Sequence, residues 1–200
     1  MSSNLPNFRT VYPVSTDARH QLKFILDYRF EGGRNYHGPL VNNYKILENF
    51  GINLGLNLRS GTPTRESATV VDEASISTTA RGSTTSLNAR LPWYTRLDLR
   101  VNKDFTFKIS KKSNSKDPKL MGVSIYCYVQ NLLNTDNILK VYAYTINAND
   151  DGYLKATSSQ VNINSQPSVQ AYKDLYKAKV NNPDNYALPR RVYLGVNVNF

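Results

Sequence analysis

The chain has 200 residues, 40% of them apolar and 20% charged, enough for one domain of ordinary size or a piece of a larger one and too apolar to read as disordered. A mean hydropathy of −0.49 and the lack of an apolar run of about 20 residues exclude a transmembrane helix, but not a transmembrane β-barrel, whose strands alternate. Lys and Arg outnumber Asp and Glu by 25 to 15, and the resulting +10 attracts anions: nucleic acid, lipopolysaccharide phosphates or acidic glycans. The lone Cys127 rules out a disulfide scaffold and any multi-cysteine metal site.

Met1–Thr10 has no basic region followed by an apolar one, so it does not read as a signal peptide. Five runs of period-two alternation follow, the strongest signal in the chain. In the first, Leu22, Phe24, Leu26, Tyr28 and Phe30 alternate with Lys23, Ile25, Asp27 and Arg29. Turn signals at Gly32-Gly33 and Gly38-Pro39 then fill 31–48. The second run sets Phe50, Ile52, Leu54, Leu56 and Leu58 against Gly51, Asn53, Gly55, Asn57 and Arg59. Residues 61–92 are rich in Ser, Thr, Ala and Arg, without a clear period. The third run carries Leu97, Leu99, Val101, Phe105, Phe107 and Ile109 against Asp98, Arg100, Asn102, Asp104 and Thr106. A polar turn is expected over 109–120. The fourth run sets Val123, Ile125, Cys127 and Val129 against Ser124, Tyr126, Tyr128 and Gln130. Residues 131–190 are long and mixed: 138–145 is expected to extend a strand, and Ser168–Val180 to form a short helix capped by Ser168, with Val169, Tyr172, Tyr176 and Val180 near one face. The fifth run, Val192, Leu194, Val196, Val198 and Phe200 against Arg191, Tyr193, Gly195, Asn197 and Asn199, closes the chain.

Several runs are nine residues or longer. Strands of soluble sandwiches average about 5–6 residues, whereas a tilted strand crossing a bilayer needs about 9–11. Length therefore favours an all-β, antiparallel transmembrane barrel segment over the solvated face of a soluble sheet. The connections alternate in the same sense: 31–48 and 109–120 are the shorter, 61–92 and 131–190 the longer. Outer-membrane barrels have short periplasmic turns and long extracellular loops. The longer segments are thus expected outside and the C-terminus in the periplasm.

Several stretches resemble the C-terminal portion of TonB-dependent outer-membrane receptors, especially the large receptors of Bacteroidetes-type bacteria. They are Asp17-Ala18-Arg19-His20-Gln21-Leu22 with Asp27-Tyr28-Arg29-Phe30, Ser60-Gly61-Thr62-Pro63, Arg96-Leu97-Asp98-Leu99-Arg100 with Lys103-Asp104-Phe105, Val129-Gln130-Asn131-Leu132-Leu133-Asn134, and Leu188-Pro189-Arg190-Arg191 with the terminal Phe200. The resemblance covers 17–60 and 93–200. It implies a barrel of about 22 strands with a plugged lumen, of which residues 1–200 would be the last five strands, without plug or earlier strands. It implies import of a nutrient ligand across the outer membrane. The partners would be the lipid bilayer, lipopolysaccharide, the rest of the receptor, the barrel assembly machinery and, through the missing N-terminal region, the TonB complex. Phe200, Val198 and Val196 resemble the assembly signal, an edge strand ending in an aromatic anchor.

Even residues of the first, second and fifth runs and odd residues of the third and fourth are expected to face lipid, Cys127 among them. Asp98, Arg100, Asn102, Asp104, Asn197 and Asn199 are expected to face the lumen. Trp93 and Tyr94 at one end of the third run, and Phe105 and Phe107 at the other, read as an aromatic girdle. Lys103, Lys108, Lys111, Lys112, Lys116 and Lys119 form a basic cluster able to bind phosphate groups, but a solvated turn is the favoured reading; residues 108–119 have none of the interleaved aromatics that nucleic-acid binding uses. Asn147–Gly152 matches a calcium loop only in part, with Asn first and Ser158 where a bidentate Glu belongs, and reads as a polar turn. His20 and His37 are isolated and indicate no metal site. No cofactor motif, nucleophile elbow or phosphate loop appears, so no enzyme is expected. Two other readings stay open: a soluble basic antiparallel sheet module binding an acidic polymer, and a free-standing small barrel or adhesin, which needs at least three more strands.

Overall fold

A computed structural model describes residues 13–74, 87–110 and 119–200, with backbone alone for 109–110 and 119. The expectations for Met1–Thr10, for the centre of the basic turn and for 75–86 lie outside these residues. The chain divides into two compact units. A sheet unit comprises Gln21–Leu58, Thr95–Asp136 and Leu188–Phe200, and a loop unit comprises Arg59–Tyr94 and Asn137–Ala187 with the stretch up to His20.

The sheet unit carries the five predicted strands: β1 (Gln21–Arg29), β2 (Phe50–Arg59), β5 (Tyr94–Ser110), β6 (Lys119–Gln130) and β7 (Arg191–Asn199). They form one sheet in the order β1-β2-β5-β6-β7. β6 pairs antiparallel with both β5 and β7. Hydrogen bonds from Phe30 N–H to Phe50 O (2.9 Å) and from Asp104 N–H to Asn49 O (3.0 Å) tie β1, β2 and β5 at one end. The sheet is open, with β1 and β7 at its edges. β5 is longer than expected, starting at Tyr94 rather than Leu97, and β6 starts at Lys119 rather than Val123. Asn stops β6: Asn131 adopts φ 52°, a left-handed conformation that Asn tolerates. Its buried side chain accepts from Thr135 N–H (3.0 Å) and donates to Leu188 O (3.4 Å). Asn134 accepts from Arg190 N–H (2.9 Å). Two asparagines of the Val129–Asn134 motif thus fasten the chain that leads into β7.

The loop unit holds the hydrophobic core. Tyr142, Tyr153, Ile163, Tyr176 and Val180 pack together, flanked by Val70, Ala74, Leu154, Val169 and Tyr172. Helix α2 (Val169–Val180) forms where predicted, and its core-facing residues are the predicted set. Ser168 occupies the cap position in an extended conformation but makes no side-chain cap bond. Lys177 and Lys179 lie in the last turn, where cations suit the helix dipole. A second helix, α1 (Gln160–Asn164), was not expected; it is a single short turn with Ile163 fully buried.

Residues 138–145 do not extend a strand. They form turns held by isolated bridges, Ile138 to Tyr186 and Tyr142 to Asn147. The reason is local: Ile146 takes φ 52° and closes a turn onto Tyr142 O (2.9 Å), while the Tyr142 hydroxyl donates to Val180 O (2.8 Å) inside the core.

The Ser60-Gly61-Thr62-Pro63 motif builds a clasp in the same unit. Strands β3 (Pro63–Thr64) and β4 (Ala89–Arg90) pair antiparallel, and Leu91 N–H donates to Thr62 O (3.0 Å). Arg90 forks to the Asp17 carboxylate (2.6 Å) and to Gly61 O (3.0 Å). Ser60 bonds back to His20 through both its N–H (2.8 Å) and its Oγ (3.0 Å).

Candidate functional site

The sheet's two faces differ in chemistry. Where registers are fixed across β5, β6 and β7, Leu99 lies opposite Val129 and Val129 opposite Val192. The next rows on the same face are Val101–Cys127–Leu194, Lys103–Ile125–Val196 and Phe105–Val123–Val198. The alternate rows are Arg100–Tyr128–Tyr193, Asn102–Tyr126–Gly195, Asp104–Ser124–Asn197 and Thr106–Gly122–Asn199. One face is therefore apolar save for Lys103, and the other is polar and tyrosine-bearing.

Among the described residues of the sheet unit, no side chain of the apolar face is buried. Leu22, Phe24, Leu26, Val192, Leu194 (80% exposed), Val196 and Val198 are all exposed. Among the described residues, the buried apolar side chains all belong to the loop unit. A soluble sheet hides one face under a second layer; among its described residues this one buries no strand side chain on either face. Phe200 follows β7 and is 95% exposed.

The polar face lines a concavity of about 870 Å³. Its walls include Asp27, Arg29, Asn53, Asp104, Asn197 and Asn199. Ser124 Oγ bonds Asp104 (2.5 Å), and Arg29 reaches the same carboxylate at 3.7 Å. Asp98 pairs with Arg96 (2.8 Å) and accepts from Asn131 N–H (3.0 Å). Arg100 lies over the Tyr126 ring at 4.9 Å, and Tyr128 stacks on Tyr193 at 6.0 Å. Tyr126 also covers Gly195, where a Cβ would come within 2.3 Å of the ring. Asp98, Arg100, Asn102, Asp104, Asn197 and Asn199 share this face by register and alternation. The sequence reading left Tyr126, Tyr128 and Tyr193 without a role; their position in the alternation was the signal.

Of the proposed girdle, Tyr94 opens β5, Trp93 precedes it, and Phe105 and Phe107 lie on the apolar face toward the strand's other end, their rings 6.3 Å apart. Trp93 stacks on His20 (6.2 Å) and Tyr94 under Arg59 (4.5 Å).

The loop unit concentrates its titratable groups around Tyr176. The hydroxyl meets Asp72 (2.9 Å) and Asp151, with the Tyr153 ring stacked at 5.0 Å. Burial first, then the two carboxylates, hold the Tyr176 hydroxyl well above the ordinary tyrosine range. Burial and a bond to Tyr153 push Tyr172 in the same direction. In the Asn147–Gly152 turn, Asp150 pairs with Lys155 (2.6 Å) and accepts from Gly152 N–H (2.9 Å), which lowers its pKa. Asp151 accepts from Tyr153 N–H (3.0 Å) as well as from Tyr176. Both carboxylates are thus engaged in holding the turn. Among the described residues, no three His, Cys, Asp or Glu side chains gather as a metal site, and no helix is long and apolar enough to cross a membrane.

No family model, curated protein or solved structure matches the chain.

Proposed function

We propose that this chain is a stretch of outer-membrane β-barrel wall, the C-terminal part of a TonB-dependent receptor that takes up a nutrient ligand. One observation carries the membrane reading: a five-stranded sheet whose apolar face is exposed along both edge strands and, among the described residues, has no buried side chain. Hydrocarbon is the solvent in which such a face is satisfied; mutual pairing satisfies the backbone of the inner strands, and the rest of the barrel would pair the edges β1 and β7. The ladder of Arg, Asp, Asn and Tyr on the opposite face suits a water-filled or plugged interior. The loop unit, with its own aromatic core, suits an extracellular position. The receptor assignment rests on the order and spacing of the motifs, two of which, Ser60–Pro63 and Val129–Asn134, have definite structural work at strand ends.

The test is the chain's partition. In plain buffer the expressed chain is expected to self-associate through its apolar face, and in detergent micelles to disperse with its β-sheet signal in circular dichroism intact. A monodisperse, folded monomer in buffer without detergent would overturn the membrane reading in favour of a soluble basic sheet module.

A further inference from the structure

Lys103 is the one charged side chain on the apolar face among the described residues. It belongs to the same alternation as Leu99, Val101, Phe105 and Phe107, and its row continues into Ile125 and Val196. A lysine so placed costs free energy in hydrocarbon unless its stem carries the ammonium out. The ammonium does bend away: it donates to Ile46 O (2.8 Å) and to Glu48 O in the 31–48 connection, and lies 5.7 Å from the Phe105 ring centre. Three donors are available on an ammonium. Two are used on neutral carbonyls, and no carboxylate of the described residues comes within ion-pairing distance of it. Its surroundings are interfacial in kind. Phe30 and Phe50 meet through a backbone bond, and Asn49 and Asp104 meet at the same end of the sheet. Arg34, Lys45 and Lys108 are exposed there. The acids of this end are Glu31, Glu48 and Asp104; Glu48 is engaged by Gly33 N–H, and Asp104 by Ser124 and Arg29 on the polar face.

We infer that Lys103 marks the boundary of the hydrocarbon on the C-terminal side of the sheet and binds the phosphate of an anionic glycerophospholipid. This rests on the membrane reading and deepens it. A phosphate oxygen supplies the charge-assisted acceptor that the ammonium's third donor lacks, and the Phe105 ring lies beside the ammonium.

The experiment is vesicle flotation of the whole chain, refolded from denaturant in the presence of vesicles. Phosphatidylcholine vesicles are compared with vesicles of equal parts phosphatidylcholine and phosphatidylglycerol. Lys103→Met is expected to weaken association with the phosphatidylglycerol vesicles about fivefold, the effect of one lysine at an anionic lipid surface, and to leave association with pure phosphatidylcholine unchanged. Lys103→Arg restores it. Lys23→Met, an exposed lysine of β1 outside the apolar alternation, removes the same charge and leaves the preference intact. Equal losses for Lys103→Met and Lys23→Met would mean diffuse attraction by the net charge and overturn the inference. So would a loss for Lys103→Met that is the same on both vesicle types. Either result leaves the membrane reading standing. No flotation of the parent chain with either lipid would overturn that reading and the inference together.

Discussion

At Gly61 a single hydrogen in place of a side chain decides whether a clasp can form. A Cβ there would lie 1.5 Å from Leu91 O, a backbone atom that cannot swing aside. Gly55, inside β2, has nothing within 4 Å of the corresponding point. Gly61→Ala is therefore expected to destabilise the loop unit by about 1–3 kcal/mol, the usual cost of overpacking. Gly55→Ala should not destabilise and is expected to add about 0.5–1 kcal/mol, because alanine loses less backbone freedom on folding. Denaturant unfolding followed by tyrosine near-UV circular dichroism checks the pair, and equal effects would remove the steric argument. The motif around Gly61 was visible in the sequence, but its reason was not, because the atom that forbids a side chain comes from Leu91 far along the chain. The same holds for Asn131, whose partners Asp98 and Leu188 arrive from two other stretches.

Whole strands were the most legible part. Alternation needs only neighbours one and two residues apart, and the five runs became the five long strands of one sheet. What alternation could not reveal was the short or compensated element. Gln160–Asn164 is too short to show a helical period, and 138–145 has apolar residues in both phases, so its turn is set by Tyr142 entering the core. Phase itself makes a prediction. Val196 shares a row with Ile125 on the apolar face, and Asn197 shares one with Ser124 on the polar face. Val196→Arg is expected to cost about 2–4 kcal/mol of membrane-inserted stability, as for a charge on the lipid face near midplane, and to abolish assembly into vesicles. Asn197→Arg should assemble as the parent does. Protease protection in reconstituted vesicles reads the difference, and equal behaviour of the two variants would reject the phase.

Taken together, the two units answer differently to solution conditions. The loop unit keeps Tyr176 as a buried neutral phenol, so the folded pKa lies above that of the unfolded chain. The unfolded tyrosine ionises near 10; stability from this group is complete below that pH and is lost progressively above it, as only the unfolded chain can release the proton. The loop unit should therefore lose stability above about pH 10, with Tyr172 adding to the trend. Tyr176→Phe should flatten this alkaline slope while lowering stability at neutral pH by about 1–3 kcal/mol, since Asp151 would lose a buried partner. An unchanged alkaline midpoint in that variant, read by near-UV circular dichroism, would reject the assignment. None of this was legible beforehand, because Asp72 and Asp151 converge on Tyr176 only once the loops have folded.

The uncovered side of the sheet has a consequence for where this molecule can be whole. Water completes the tyrosine cluster and leaves five strands with only each other, or another copy, to adhere to. A harsh amphiphile does the reverse, coating the strands while dissolving the cluster. For the barrel wall proposed above, a medium with both an aqueous and a hydrocarbon compartment is expected to let both halves of the chain reach their folded state.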